Sequence, residues 1–242
     1  MKGLISTIKV DGKCLSGFIA AHRQAKSAMI ERGLSPRALS EELQRAAGSL
    51  NHYIQGTADL SGQDLRTFPL ADVDLSGADL TACILSNMVL WNTNFEHAVL
   101  DCARMDGTEL TWANMNHTHM AGAVLQGALL DKTQLQHAIM PCSRLTSAQL
   151  LETNLYGAFL PESNMQSAVF ERADLRDTNL SNCLLEGAEF RNSLLDGAIV
   201  TGSILDPAST ISDISPEQDE HPLMLSHFFV QPVQRTYKIS NK

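Results

Sequence analysis

Large apolar residues recur at every fifth position from Leu60 to Leu205, thirty times without a break, and twenty-one of these centres are leucine. The others are Phe95, Phe170, Phe190, Met105, Met115, Met120, Met140, Met165 and Val200. Two residues before each centre stands Ala, Ser, Thr or Cys in 26 of the thirty units; the exceptions are Gln63, Phe68, Val73 and Met88. Neither regular element carries such a column. Five residues of α-helix advance by about 140°, which would spread the column around the whole surface. An odd step along a plain strand puts alternate members on opposite faces. The pattern fits a short strand and a corner that absorbs the odd residue, repeated around a narrow core. The small and the large position of each unit both point inward.

The position two residues after each centre supports the corner. It holds nine glycines, among them Gly107, Gly127 and Gly157, together with Asn87, Asn92, Asn182 and Asn192. These residues tolerate the positive φ that type II turns demand. Pro141 and Pro161 stand one place earlier, where such turns accept proline.

Units such as "ADLSG", "ADLTA", "ANMNH", "TNLYG" and "ADLRD" match the motif A(D/N)LXX. Over residues 58–207 the chain resembles the pentapeptide-repeat family. The resemblance implies an all-β solenoid: a right-handed quadrilateral β-helix with four pentapeptides per coil. Thirty units then make about 7.5 coils, and strands stacked at roughly 4.8 Å make a rod of about 36 Å. The chain departs from the motif just before the centre, where Val, Ile, Leu or Phe often replaces Asp or Asn.

Three domains are expected. Residues 1–57 read as a small, mainly helical N-terminal cap, because an open solenoid end exposes unpaired edges and core. "ISTIKVDGKCL" suggests a hairpin around Asp11-Gly12, and two helices are expected to end at Gly33 and Gly48. "ERGLSPRALSEEL" resembles in part the helix-turn-helix of small repressors, but Gln44 and Arg45 stand where a turn glycine is expected, and a helical cap is favoured. Residues 58–207 form the β-helix, and 208–242 a linker followed by a capping tail.

Charge divides the same way. Residues 1–57 carry 8 basic and 4 acidic side chains, the repeat carries 7 and 19, and the tail from 208 carries 3 and 4. An acidic rod repels phosphates, so direct nucleic-acid binding by the β-helix is not expected. No apolar run approaches the roughly 20 residues of a membrane span, and Lys9 and Asp11 interrupt any signal-peptide core. The cysteines number five, and Cys102 and Cys142 share a corner column two coils apart, beyond disulfide reach. Reduced thiols and a bacterial cytoplasmic location are expected.

No cofactor is expected, and no catalytic residues. A convex rod offers no cleft, and neither a phosphate loop nor a nucleophile–base set is spaced to converge. His97, His117 and His137 fall one coil apart at a corner. They read either as a column of residues tolerating positive φ or as ligands for Zn²⁺ or Ni²⁺. Trp91 and Trp112 fall in adjacent corner columns with Lys132 above, placed for a cation–π contact. The outward positions Val99, Ile139 and Phe159 lie along one face. Exposed apolar and tryptophan patches mark interfaces, so these five residues are the protein-binding candidates; a cover of N-terminal helices over the face is the other reading.

Two functions follow. The first is a non-enzymatic protein–protein interaction scaffold, with a homodimer as one arrangement. Its family version is a bacterial effector or adaptor, delivered into a host cell by a signal-peptide-independent system. The second, implied by resemblance to quinolone-resistance pentapeptide proteins, is an acidic DNA mimic that binds a type II topoisomerase such as gyrase. The rod's net charge favours the second. Against it, only Asp131, Lys132 and Arg144 are charged between residues 110 and 150, whereas a duplex mimic needs potential along its length.

Overall fold

A computed structural model of the chain describes residues 59–205 throughout and, beyond them, the strand backbones at 210–212 and 229–230. The expected N-terminal cap, with its hairpin and two helices, lies outside the described residues, as does most of the tail. The described residues contain strands, bridges and turns and no helix.

Each residue before a centre except Pro69 pairs in parallel with the residue twenty places on, from Asp59 with Asp79 to Leu184 with Ile204. Four ladders result, one for each pentapeptide of a twenty-residue turn. One runs Asp79–Val99–His119–Ile139–Phe159–Asn179–Ile199 and is called the Ile139 side. The next are the Arg104 side, the Glu109 side and the Asn114 side, in chain order.

The hydrogen bonds show why five residues suffice. Within one unit, Leu129 donates its N–H to the Thr108 carbonyl of the preceding turn at 2.8 Å, and Leu130 donates to Gln149 O of the following turn at 2.8 Å. The corner residue Lys132 donates to Leu151 O at 2.8 Å, and Thr133 closes the corner onto Leu130 O at 3.0 Å. Only the N–H just after the centre stands outside this backbone scheme. Pro141 and Pro161 occupy that place. Every corner residue from Gly62 to Gly202 except Thr67 has φ between +52° and +78°. At the non-glycine corners, such as Trp112, this conformation costs roughly 1–2 kcal/mol per residue, which the ladder bonds on either side offset.

The core is a single column. The centres are buried from Leu60 to Leu205, and so are the described positions two before them except Gln63 and Ala198, which are partly buried. Where the small position is polar it is satisfied by backbone: Thr133 Oγ1 donates to Leu110 O at 2.8 Å and Thr153 Oγ1 to Leu130 O at 2.7 Å, each reaching the preceding turn. Serine and cysteine do the same, as at Ser143 with Met120 O and Cys183 with Leu160 O. A buried hydroxyl is therefore no exception to the apolar rule.

Two places depart from the thirty equal units of the sequence. At residues 66–70, Pro69 has no N–H to return to a ladder, and no bridge joins it to Val89. The Glu109 side accordingly begins at Val89 with Glu109, and Thr67 Oγ1 is buried without a partner. At the far end the spacing changes. Strands β1 (Val169–Glu171), β2 (Glu189–Arg191) and β4 (Thr210–Ser212) form one parallel sheet. Glu189 pairs with Val169, twenty residues away, but with Thr210, twenty-one away. Strand β3 (Ile204–Leu205) pairs with β5 (Phe229–Val230) at a separation of twenty-five. Residues 210–212, which read as linker, thus extend a ladder of the rod.

Candidate functional site

The ladder geometry decides which apolar residues reach solvent. On the Ile139 side the residue before each centre points outward, and consecutive members are bridged one turn apart. Ile139, Phe159 and Ile199 are 38%, 42% and 50% exposed. Val99, in the same column, is half-buried. His119 and Asn179 separate Val99 from Ile139 and Phe159 from Ile199, so Ile139 and Phe159 form the continuous pair. Ile199 was not among the sequence candidates, although it stands in the same column as Phe159.

The second apolar cluster lies at the corner between the Glu109 and Asn114 sides. Trp91 is 48% exposed, Trp112 58% and Val89 43%. Val89 is absent from the sequence candidates; it is the first bridged residue of the Glu109 side, with Pro69 unbridged one turn below. The corner column around Trp112 is polar and paired. Asn92 Nδ2 donates to Asp72 Oδ1 at 2.9 Å, and Lys132 Nζ lies 5.6 Å from the Trp112 ring centre. Lys132 pairs with Glu152 at 3.7 Å, and Arg172 with Glu152 at 2.9 Å.

His97, His117 and His137 occupy the corner between the Asn114 and Ile139 sides. Their rings stack at 5.0 and 5.3 Å, inclined by 14° and 18°. His137 meets Tyr156 edge-on at 5.7 Å, and the Arg176 guanidinium lies 5.7 Å from the Tyr156 ring. An ion held at the usual Zn–N distance of about 2.1 Å needs its nitrogens within roughly 4 Å of each other. Near-parallel rings at this spacing hold equivalent nitrogens farther apart. Among the described residues, no group of three or more His, Cys, Asp and Glu is arranged to hold a metal ion.

Eight copies of the family described as Pentapeptide repeats match residues 74–116, 108–141, 143–182 and 173–206. The chain belongs to the pentapeptide-repeat family. Solved structures with a similar course include HetL, a pentapeptide repeat protein involved in heterocyst differentiation regulation from the cyanobacterium Nostoc sp. strain PCC 7120. HetL is 23% identical, with a TM-score of 0.43 over 63% of this chain and 73% of HetL. QnrB1, a plasmid-mediated fluoroquinolone resistance protein, in a trypsin-treated variant, is 15% identical, with a TM-score of 0.47 over 66% of this chain and 87% of its own. A pentapeptide repeat protein of the Arabidopsis thaliana thylakoid lumen is 22% identical, with a TM-score of 0.29 over 63% and 72% of the two chains. No curated protein sequence matches.

The polar side of this pentapeptide rod carries a ladder of its own. Asn94 Nδ2 donates to Asp74 Oδ1 at 2.9 Å and Asn114 Nδ2 to Asn94 Oδ1 at 3.1 Å. Each also accepts the backbone N–H two residues on, as Asp74 does from Ser76 at 3.1 Å. These bonds favour ionised Asp74, whose carboxyl is held below the ordinary carboxylate range, chiefly by Ser76. Asp174 is lowered likewise, chiefly by the Arg176 side chain, which pairs with it at 2.7 Å. A carboxyl whose folded pKa is depressed stabilises the fold above its unfolded value of about 3.9 and loses that contribution as pH falls further. The melting temperature is therefore expected to hold from neutrality to about pH 5 and to drop below about pH 4. In Asp174→Asn the drop is expected to be shallower, and scanning calorimetry across that range checks it; an unchanged slope would remove Asp174 from the account.

The inward cysteines are chemically quiet. Burial pushes the Cys83 and Cys183 thiols up to about 11, so both stay protonated at neutral pH. Cys102 and Cys142 are exposed and free, with the Gly122 turn between them in the column.

Proposed function

We propose that this pentapeptide-repeat rod is a non-enzymatic scaffold that binds a protein partner on its Ile139 side. The observation that carries the reading is the exposed pair Ile139 and Phe159, bridged one turn apart and continued in register by Ile199. Large side chains held by a rigid ladder lose little freedom on contact, which is what makes them efficient anchors. The Asn114 side is the contrast, since its outward positions are Asp, Asn and Gln from Asp74 to Asp174. The architecture behind the proposal is a right-handed four-sided coil of about 7.5 turns, capped by a helical 1–57 segment and by the tail from 208. In its family version the protein is a bacterial effector or adaptor, working in the cytoplasm or after signal-peptide-independent delivery into a host cell.

The test is affinity capture followed by binding measurements with Phe159→Glu. An anchor worth about 2 kcal/mol predicts weakening of about 30-fold or more. A partner bound equally well by the variant would move the site elsewhere. If sedimentation shows a dimer that Phe159→Glu dissociates, the occupant is a second copy.

The acidic rod supports a second reading, mimicry of DNA toward a type II topoisomerase. Its 19 acidic side chains against 7 basic ones favour it. Local pairing opposes it: Arg66, Arg104, Lys132, Arg172, Arg176 and Arg191 each lie within salt-bridge distance of a carboxylate of the rod. A gyrase supercoiling assay separates the two, because salt-sensitive inhibition by the purified chain belongs to the mimic alone.

A further inference from the structure

The tryptophan corner lies away from the Ile139 side, and three features there ask for a cover. Trp91, Trp112 and Val89 place large apolar surface within the first turns of the rod. Beside them Pro69 stands unbridged below Val89, at the start of the Glu109 side. The same end of the rod is acidic: Asp59, Asp64, Asp72, Asp74 and Asp79 fall within about one turn, with Arg66 the basic residue among them. Asp72 belongs to the corner column of Trp112 itself, through Asn92.

The sequence that enters the rod has the complementary character. Residues 1–57 carry 8 basic and 4 acidic side chains, and stretches such as "SPRALSEELQRAA" set Leu39 and Leu43 four apart, with Arg37 and Arg45 nearby. Position matters as much as charge. The chain joins the Ile139 side at Asp59, so the tryptophan corner lies across one side, the Asn114 side, and about one and a half to two and a half turns along the axis. Sides about 10 Å across and turns about 4.8 Å apart put the corner within roughly 20 Å. The eleven residues 48–58 span up to about 35 Å when extended.

We propose that residues 1–57 fold back over the Asn114 side and cover the tryptophan corner, seating apolar side chains on Trp91, Trp112 and Val89 and basic ones beside Asp72 and Asp74. The occupant is the chain's own N-terminal segment. The corner is then a closed surface of the folded protein, and the Ile139 side remains the open one.

The chain's two tryptophans both lie at this corner, so the intrinsic fluorescence of the full-length protein reports on it alone. Emission and acrylamide quenching are measured for the wild type and for Arg37→Glu/Arg45→Glu, at low salt and near 1 M salt, where the screening length shrinks to about 3 Å. In the wild type at low salt, the expected emission is blue-shifted and the quenching constant at least about twofold lower than in the variant, with salt raising the wild-type value toward the variant's. A thermal melt of each protein shows that the rod is intact in both. Tryptophans as accessible in the wild type as in free N-acetyltryptophanamide would overturn the proposal. Protection that neither arginine reversal nor salt alters would overturn it too, as would protection that disappears on dilution, which assigns the cover to a second copy. None of these outcomes bears on Phe159, so the scaffold reading stands or falls separately.

Discussion

Phe170→Ala is expected to destabilise the rod by about 4 kcal/mol, as a fully buried aromatic truncated in a close-packed core does. Phe170 is a centre residue, stacked on Phe190 one turn away at 4.8 Å with the rings inclined by only 1°. The surrounding structure has little means of closing the void. Val169 to Glu171 are paired residue for residue with Glu189 to Arg191, so the turns cannot slide inward without breaking those bonds. The cavity therefore persists, and its cost adds to the lost transfer of the ring. In a solenoid each turn touches only its neighbours, and such a loss stays local. Amides of residues 175–205 are expected to lose hydrogen-exchange protection first, with those before 150 little changed. A denaturant titration that shows a loss below about 1 kcal/mol would mean that this part of the core is not close-packed.

The backbone scheme predicts an equally large contrast between two prolines. Leu129→Pro removes the N–H that bonds Thr108 O at 2.8 Å, and the expected cost is about 3 kcal/mol or more, as for proline inside other regular elements. Thr146→Pro places the same ring just after a centre, where the ladder takes no donor and where Pro141 and Pro161 already stand. Leu145 stands in the same place of its unit as Met140 and Leu160, which already precede prolines, and the Thr146 carbonyl still accepts from Gly127. The expected effect is within about 0.5 kcal/mol. Thermal melts of the two variants decide it. Equal destabilisation would show that the ring itself, and not the missing donor, is what the rod rejects.

Much of this was legible because each column has one job. A leucine every fifth residue, a small residue two before it and a glycine or asparagine two after it specify the core, the wall and the corner independently. The features that were not legible depend on more than one column. Val89 occupies an ordinary outward position, and its exposure at the start of the Glu109 side is marked by no column of its own. Val99 and Phe159 share a column, but the shorter side chain is half shielded while the longer projects. The hydroxyls at small positions read as small, whereas their bonds to the preceding turn depend on the stacking. Beyond Leu205 the pairing separation changes to twenty-one and then twenty-five, which leaves no period to read. The histidine column was plain in the sequence, but the near-parallel stacking of its rings follows from ladder spacing.

The constant pairing distance of twenty residues also limits how such a protein can change length. Inserting a single pentapeptide preserves core, wall and corner, yet everything downstream is rotated by one side. Placed between Ile139 and Phe159, that insertion would keep the rod folded while carrying Phe159 out of line with Ile139. Four pentapeptides together restore the phase and only move the two residues apart. The rod therefore behaves like a combination lock: any multiple of five turns the dial without damage, but only twenty returns it to the same setting.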